Sequence, residues 1–283
     1  METENSSRFW KTNEDVVVKP FYTSEDRTHQ EISTPEKDFV VCQTIFIDDE
    51  KIANSLALDA LKRGAKAIQF KANSKFDYKT VFQNIKFNKT LIYFSFSFLN
   101  DEFQLEIAKF ISSNNIYFQN DILGNLAETG NWYINLKEDH KKLEEIVKST
   151  NNCISISGDL YQNAGANIAQ QLAYSLAHAN EYLNHFGGEI ATKIHFKFSV
   201  GSNYFFEIAK LRAFRILWKT LLKEYNILDS EAHLFVQPSI RNKTLYDYNV
   251  NMLRTSSEYM SAILGGSNTV STVSYDAIYH KSN

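Results

Sequence analysis

Short runs of β-branched and aromatic residues alternate along the chain with stretches whose apolar residues recur at helical spacing. The first run, Phe39–Ile47, is followed by Asp48 and Asp49, either of which suits a helix cap. The helix predicted behind them carries Ile52, Leu56, Ala60 and Leu61 on its core face and stops at Gly64. Further strand-like runs occur at Ala67–Phe70, Leu91–Phe96, Ile116–Asn120, Cys153–Ser157, Ile194–Val200, His233–Gln237 and Thr269–Ser274. The clearest helical face is Ile168, Leu172, Leu176, Ala179, Leu183 and Phe186, ended by Gly187-Gly188. Two more helices are predicted from Asn203 to Tyr225 and from Tyr246 to Leu264, the latter closed by Gly265-Gly266. The run Trp132–Leu136 interrupts the alternation and reads as an insertion or a small hairpin.

Strand followed by helix, repeated, implies parallel pairing. Eight strand signals favour an α/β (β/α)8 TIM barrel over an open doubly wound sheet. The final barrel helix is expected to be lacking, because the chain stops at Asn283. Residues 1–37 are mixed and polar, with Pro20, Pro35 and a Val16-Val17-Val18 patch, and read as an N-terminal arm; residues 38–283 read as the barrel domain.

Composition sharpens this picture. A length of 283 residues suits one barrel of roughly 250 residues plus an arm. Apolar content of 43% and charged content of 22% exclude disordered and fibrous classes. Ten Gly and three Pro beside 14% aromatics argue against a loop-rich sandwich. The net charge of −3 does not match the basic footprint of a nucleic-acid binder. Cys42 and Cys153 lie far apart without Cys or His companions, so neither a disulfide framework nor a metal site is predicted. The acidic start Met1-Glu2-Thr3-Glu4 is unlike a secretory signal. The strongest apolar run, Tyr93–Leu99, is broken by serines and too short for a bilayer. A soluble, cytoplasmic protein with no membrane partner is expected.

In such barrels chemistry gathers at the C-terminal strand ends. Here those ends carry neutral amides and hydroxyls, among them Thr44, Gln69, Gln119, Ser157, Ser199, Gln237 and Ser271, with Asp121, Asp159 and Arg241 as the charged exceptions. No His, Glu or Lys set for proton abstraction converges. His195 and His233 read as structural strand residues rather than a metal pair, and His178 and His185 as surface or interface. The stripe Arg212, Arg215, Lys219, Lys223 reads as a solvated face or a partner-subunit surface. Tyr204-Phe205-Phe206 reads as packing between barrel and helix. Residue chemistry alone therefore stops at a barrel with a polar, weakly catalytic rim.

Several strings carry more. Ser155-Ile156-Ser157-Gly158, Gln162-Asn163-Ala164-Gly165-Ala166, Gln119-Asn120-Asp121-Ile122-Leu123 and Tyr204–Ala213 resemble the substrate barrel of methylmalonyl-CoA mutase. Lys243–Val250 with Leu264-Gly265-Gly266 is most similar to the small, or beta, subunit of its two-subunit bacterial form. The likeness runs from about Trp10 to the last residue. The family rearranges methylmalonyl-CoA to succinyl-CoA by radical chemistry; its barrel holds the CoA ester and a separate domain carries adenosylcobalamin.

The departures point to function. Where the active subunit has a histidine on the fifth barrel strand, this sequence has Leu160; where it has an arginine for the substrate carboxylate, Thr129 stands. Its catalytic tyrosine aligns with Thr44 and its second histidine with Phe235, whereas Gln119 and Gln237 match polar pocket positions. An Asp-x-His-x-x-Gly cobalamin motif is absent from the chain. The resemblance thus implies a catalytically silent small subunit that binds no cofactor and docks on a large (alpha) subunit holding adenosylcobalamin. The alternative is a barrel that still binds an acyl-CoA or a changed CoA ester, with Asp121 and Asp159 as polar contacts and Gln119, Gln162 and Gln237 orienting the ligand. A barrel axis filled by large residues, Tyr161 and Phe235 foremost, favours the silent reading.

Overall fold

The computed structural model describes residues 9–27, 32, 35, 38–228, 230–272 and 274–276. Eight strands form one parallel sheet: β3 (Val40–Phe46), β4 (Ala67–Ala72), β5 (Leu91–Phe96), β6 (Ile116–Phe118), β7 (Ile154–Ser157), β8 (Ile194–Val200), β9 (His233–Pro238) and β10 (Thr269–Thr272). Their spatial order is β6-β5-β4-β3-β10-β9-β8-β7. The two ends meet through a parallel bridge between Asn120 and Ile154. Backbone bonds from Phe118 N to Asn152 O and from Ser155 N to Asn120 O, both 2.9 Å, complete the seam. The architecture is the (β/α)8 barrel expected from the alternation. In the arm, β1 (Trp10–Lys11) and β2 (Val17–Val18) pair antiparallel. Trp10 meets the Phe206 ring edge-on at 6.4 Å, so the arm lies on the barrel body. No helix among the described residues is long and apolar enough to cross a membrane.

The helices are α1 (Glu50–Lys62), α2 (Tyr78–Val81), α3 (Asp101–Ile111), α4 (Ile122–Thr129), α5 (Leu136–Ser149), α6 (Gly158–Asn163), α7 (Ile168–Phe186), α8 (Tyr204–Glu224) and α9 (Tyr248–Leu264). Polar caps start most of them: the side chains of Asp49, Asn100, Asp121, Asn135, Asn167 and Asp247 each accept a first-turn backbone N–H. Each such cap contributes about 1 kcal/mol. α9 ends before Gly265-Gly266, with Gly266 at φ +83°, a left-handed turn that a side chain resists.

Strand alternation divides the apolar residues into two compartments. Outward residues such as Phe70, Phe94, Phe118, Phe196 and Phe198 are fully buried under the helices. There Phe196 meets Phe214 and Trp218 edge-on at 4.6 and 4.8 Å, which accounts for the aromatic richness of the chain. Inward residues form a second, smaller cluster of Cys42, Ala67, Tyr93 and Phe235, all fully buried. Tyr93 stacks on Tyr117 at 4.7 Å, Tyr117 on His233 at 4.4 Å, and Phe235 lies 4.8 Å from Tyr93. The Tyr93 hydroxyl also contacts His233 Nε2 at 2.8 Å and Thr269 Oγ1 at 2.7 Å. The barrel axis is plugged at this level.

Five expectations need correction. Trp132–Leu136 forms no hairpin: it connects α4 to α5, and the Asp139 carboxylate accepts Tyr133 N at 2.8 Å and Ile134 N at 3.0 Å in place of a partner strand. α1 buries Ala53 and Ala57 and leaves Ile52 61% exposed, because small residues allow closer approach to the sheet. The basic stripe on α8 is a solvated face at Lys219 and Lys223 but not at its two arginines. Arg215 is buried and donates to Ala232 O, Gly266 O and Asn268 Oδ1 at 2.6–2.8 Å, and Arg212 donates to the Leu264 carbonyl at the end of α9. Phe205 is 77% exposed rather than packed. Tyr161 does not enter the axis; its hydroxyl lies 3.0 Å from His178 Nδ1 beneath α7. The expected absence of a final helix falls on residues outside those described.

Two stability predictions follow from the plug. Phe235→Ala should lower the unfolding free energy by about 3–5 kcal/mol in urea titrations, as a cavity in a closed axis cannot collapse; a loss below about 1 kcal/mol would show that Phe235 is not a packing element. Burial first, and then the Arg215 charge, push His233 down to about 3, so its ring is neutral in the folded barrel. The unfolded chain takes up that proton near the ordinary value of 6.5, so stability falls as pH drops from 6.5 towards 3, by up to about 1.4 kcal/mol per pH unit. His233→Gln should flatten that dependence when urea midpoints are compared across the window.

Candidate functional site

Two residues beyond the plug along the same strands, the inward side chains become polar. Thr44 Oγ1 donates to Gln69 Oε1 at 2.7 Å and lies 2.9 Å from Ser271 Oγ; Gln69 Nε2 donates to Gln119 Oε1 at 2.6 Å. This layer spans β3, β4, β10 and the residue after β6. Gln69 and Ser271 are fully buried. Gln119 Nε2 has no protein partner.

Nearer the mouth, Asp159 is buried and pairs with Lys197 Nζ at 2.7 Å while its Oδ2 accepts from Gln237 Nε2 at 3.0 Å. Asp159 Oδ1 is left unpartnered. Lys71 faces the same space from β4; burial first, then the neighbouring Lys197 charge, lower its pKa. Gln162 forms a separate cluster, bonded through its amide to Ser239 Oγ at 2.7 and 3.0 Å, with Arg241 Nη1 donating to its carbonyl at 2.8 Å. Asp121 belongs to none of these. It caps α4 through Gly124 N at 2.8 Å and holds Ser157 N, Tyr182 Oη and His178 Nε2 at 2.8–2.9 Å.

Of the positions where the resemblance implies replaced catalytic groups, Thr44 is tied into the amide layer and Phe235 into the plug. Thr129 Oγ1 donates to Asn125 O at 2.7 Å at the end of α4, exposed to solvent. Leu160 is half-buried in α6. Both cysteines are free and buried, and burial raises the pKa of each, Cys153 to about 11, so neither is a ready thiolate. The mouth thus offers two ammonium groups, one carboxylate and several amides. That set can hold a polar or anionic group.

Sequence reasoning missed two features. Lys71 and Lys197 point inward because they follow Gln69 and His195 by two residues, a period that marks one strand face. His178, read as surface, is buried. Its signal was a second periodicity on α7, where Gln171, Ser175, His178 and Tyr182 form a polar buried face beside the apolar stripe.

These features accompany clear similarity to known proteins. The family model for methylmalonyl-CoA mutase matches residues 112–283. The methylmalonyl-CoA mutase small subunit of Porphyromonas gingivalis is 28% identical, covering 97% of this chain and 50% of that protein. The large subunit from Streptomyces virginiae is 33% identical over 56% of this chain and 24% of its own length; the human mitochondrial mutase is 34% identical over 56% and 23%. The chain therefore spans half the length of its small-subunit relative and less than a quarter of the others. On the match over most of the barrel, the chain belongs to the methylmalonyl-CoA mutase family.

Proposed function

We propose that this chain acts in the cytoplasm as the non-catalytic small-subunit barrel of an adenosylcobalamin-dependent methylmalonyl-CoA mutase, supporting a large subunit that isomerises methylmalonyl-CoA to succinyl-CoA. The plugged axis carries the reading: Tyr93, Tyr117, His233 and Phe235 occupy space in which a substrate barrel would need a cavity. Removing one preorganised donor typically costs a factor of ~10²–10³ in rate, and Thr44, Thr129, Leu160 and Phe235 replace four polar groups at once.

Adenosylcobalamin supplies the radical chemistry in such enzymes, and the reading assigns it to the partner. The described histidines do not fit a cobalt ligand at the mouth. His195 and His233 lie inside the barrel, His178 is on the buried face of α7, and His140 and His185 pack on each other at 4.4 Å.

A docking face for the large subunit is supported by α9, whose polarity is inverted. Asn251, Thr255, Glu258 and Ser261 are buried against the barrel, while Tyr248, Met252, Met260 and Leu264 lie on the outside at 43–55% exposure. Leu245, Tyr246 and Leu253 extend this apolar surface. An exposed apolar helix face marks a protein interface, and relatives named as small and large subunits support the large subunit as its occupant.

The second reading, a barrel that binds a CoA ester, is favoured by Lys71 and by the unpartnered atoms Gln119 Nε2 and Asp159 Oδ1. Calorimetric titration with methylmalonyl-CoA and succinyl-CoA separates the two, since the silent barrel should give no heat.

Purified chain supplied with adenosylcobalamin and methylmalonyl-CoA should form no succinyl-CoA, and adding the large subunit should give turnover; activity of the chain alone would sink the silent reading. Met252→Glu combined with Met260→Glu should weaken association with the large subunit about tenfold or more, read by co-elution and calorimetry, with the melting temperature of the free chain unchanged.

A further inference from the structure

Outside the barrel axis, a cavity of about 290 Å³ opens between α4, α6 and α7, lined by Leu123, Tyr161, Tyr174, Ala177, His178 and Glu181. Its floor is a buried relay. Asp121 Oδ1 lies 2.8 Å from His178 Nε2, and the other ring nitrogen lies 3.0 Å from the Tyr161 hydroxyl. These contacts anchor the Tyr161 side chain in the cavity wall.

The Tyr161 and Tyr174 rings lie 5.4 Å apart, tilted by 56°, and Tyr174 is 46% exposed. Glu181, one turn beyond Ala177 on α7, forms no ion pair among the described residues. The Asp121 charge extends to this wall: burial first, and then that carboxylate, raise the Tyr161 phenol to about 12. The lining holds acceptors, aromatic faces and negative charge, and contains no Lys or Arg. Its complement is a compact organic cation, attracted by ring faces and by a carboxylate.

We propose that the Tyr161–Tyr174–Glu181 cavity is a binding site for a small organic ammonium ligand, with the His178 ring anchoring the Tyr161 hydroxyl. The site is separate from the barrel axis and from the outer face of α9, so it stands or falls independently of the mutase reading. The probe is n-butylammonium, titrated into the full chain and followed by amide NMR, with neutral 1-butanol and anionic butyrate as isosteric controls. Saturable shifts at Tyr161, Tyr174 and Ala177 are expected with the ammonium alone. Glu181→Gln and Tyr174→Leu, both at solvent-exposed positions, should each weaken binding roughly two- to fivefold. Absence of saturable shifts, equal binding of 1-butanol, or unchanged affinity in both variants would each overturn the proposal.

Discussion

A closed parallel barrel cuts its inward side chains off from water, so each polar group there needs a partner within the barrel. This chain has an unusually polar inner face, and that one constraint organises much of the structure. Tyr93 finds His233 and Thr269 across the axis, and Thr44, Gln69, Gln119 and Ser271 bond to one another across four strands. The bonds from Tyr93 and from Gln69 to Gln119 tie together non-adjacent strands, which a purely aliphatic interior leaves to packing alone. The plug and the amide layer form one device, apolar and aromatic first and hydrogen-bonded above.

The same logic extends outward. Arg215 runs under the barrel from α8 and gathers carbonyls that precede β9 and β10, so a guanidinium stands where loops would otherwise leave acceptors unpaired. Asp121 joins the start of α4, the end of β7 and the inner face of α7 in one carboxylate. In both cases one charged side chain ties together segments that are distant in sequence, while α9 turns apolar residues outward.

Much of the fold was legible from local pattern. Leu91–Phe96 and Ile194–Val200 begin and end where their β-branched and aromatic runs do, and α7 starts at its Asn167 cap and stops at Gly187. Errors arose where a residue's role depends on a distant partner. Arg215 looks like one step of a surface stripe until the ends of β9 and β10 arrive beneath it. His178 looks exposed until Asp121, 57 positions earlier in the numbering, is brought to 2.8 Å from it. The outward stripe of α9 was concealed because its apolar periodicity is regular; only packing tells which side faces the barrel.

The sequence by itself determined that strands and helices alternate and that the sheet is parallel. Those facts depend on residue identity and on spacing over a few turns. Tertiary structure alone decided that Phe235 plugs the axis while Tyr161 leaves it, that Lys71 and Lys197 share the mouth, and that α9 is inverted. Each of these depends on which face of an element meets which neighbour. Barrel closure sets that pairing, and closure is a property of all eight strands together.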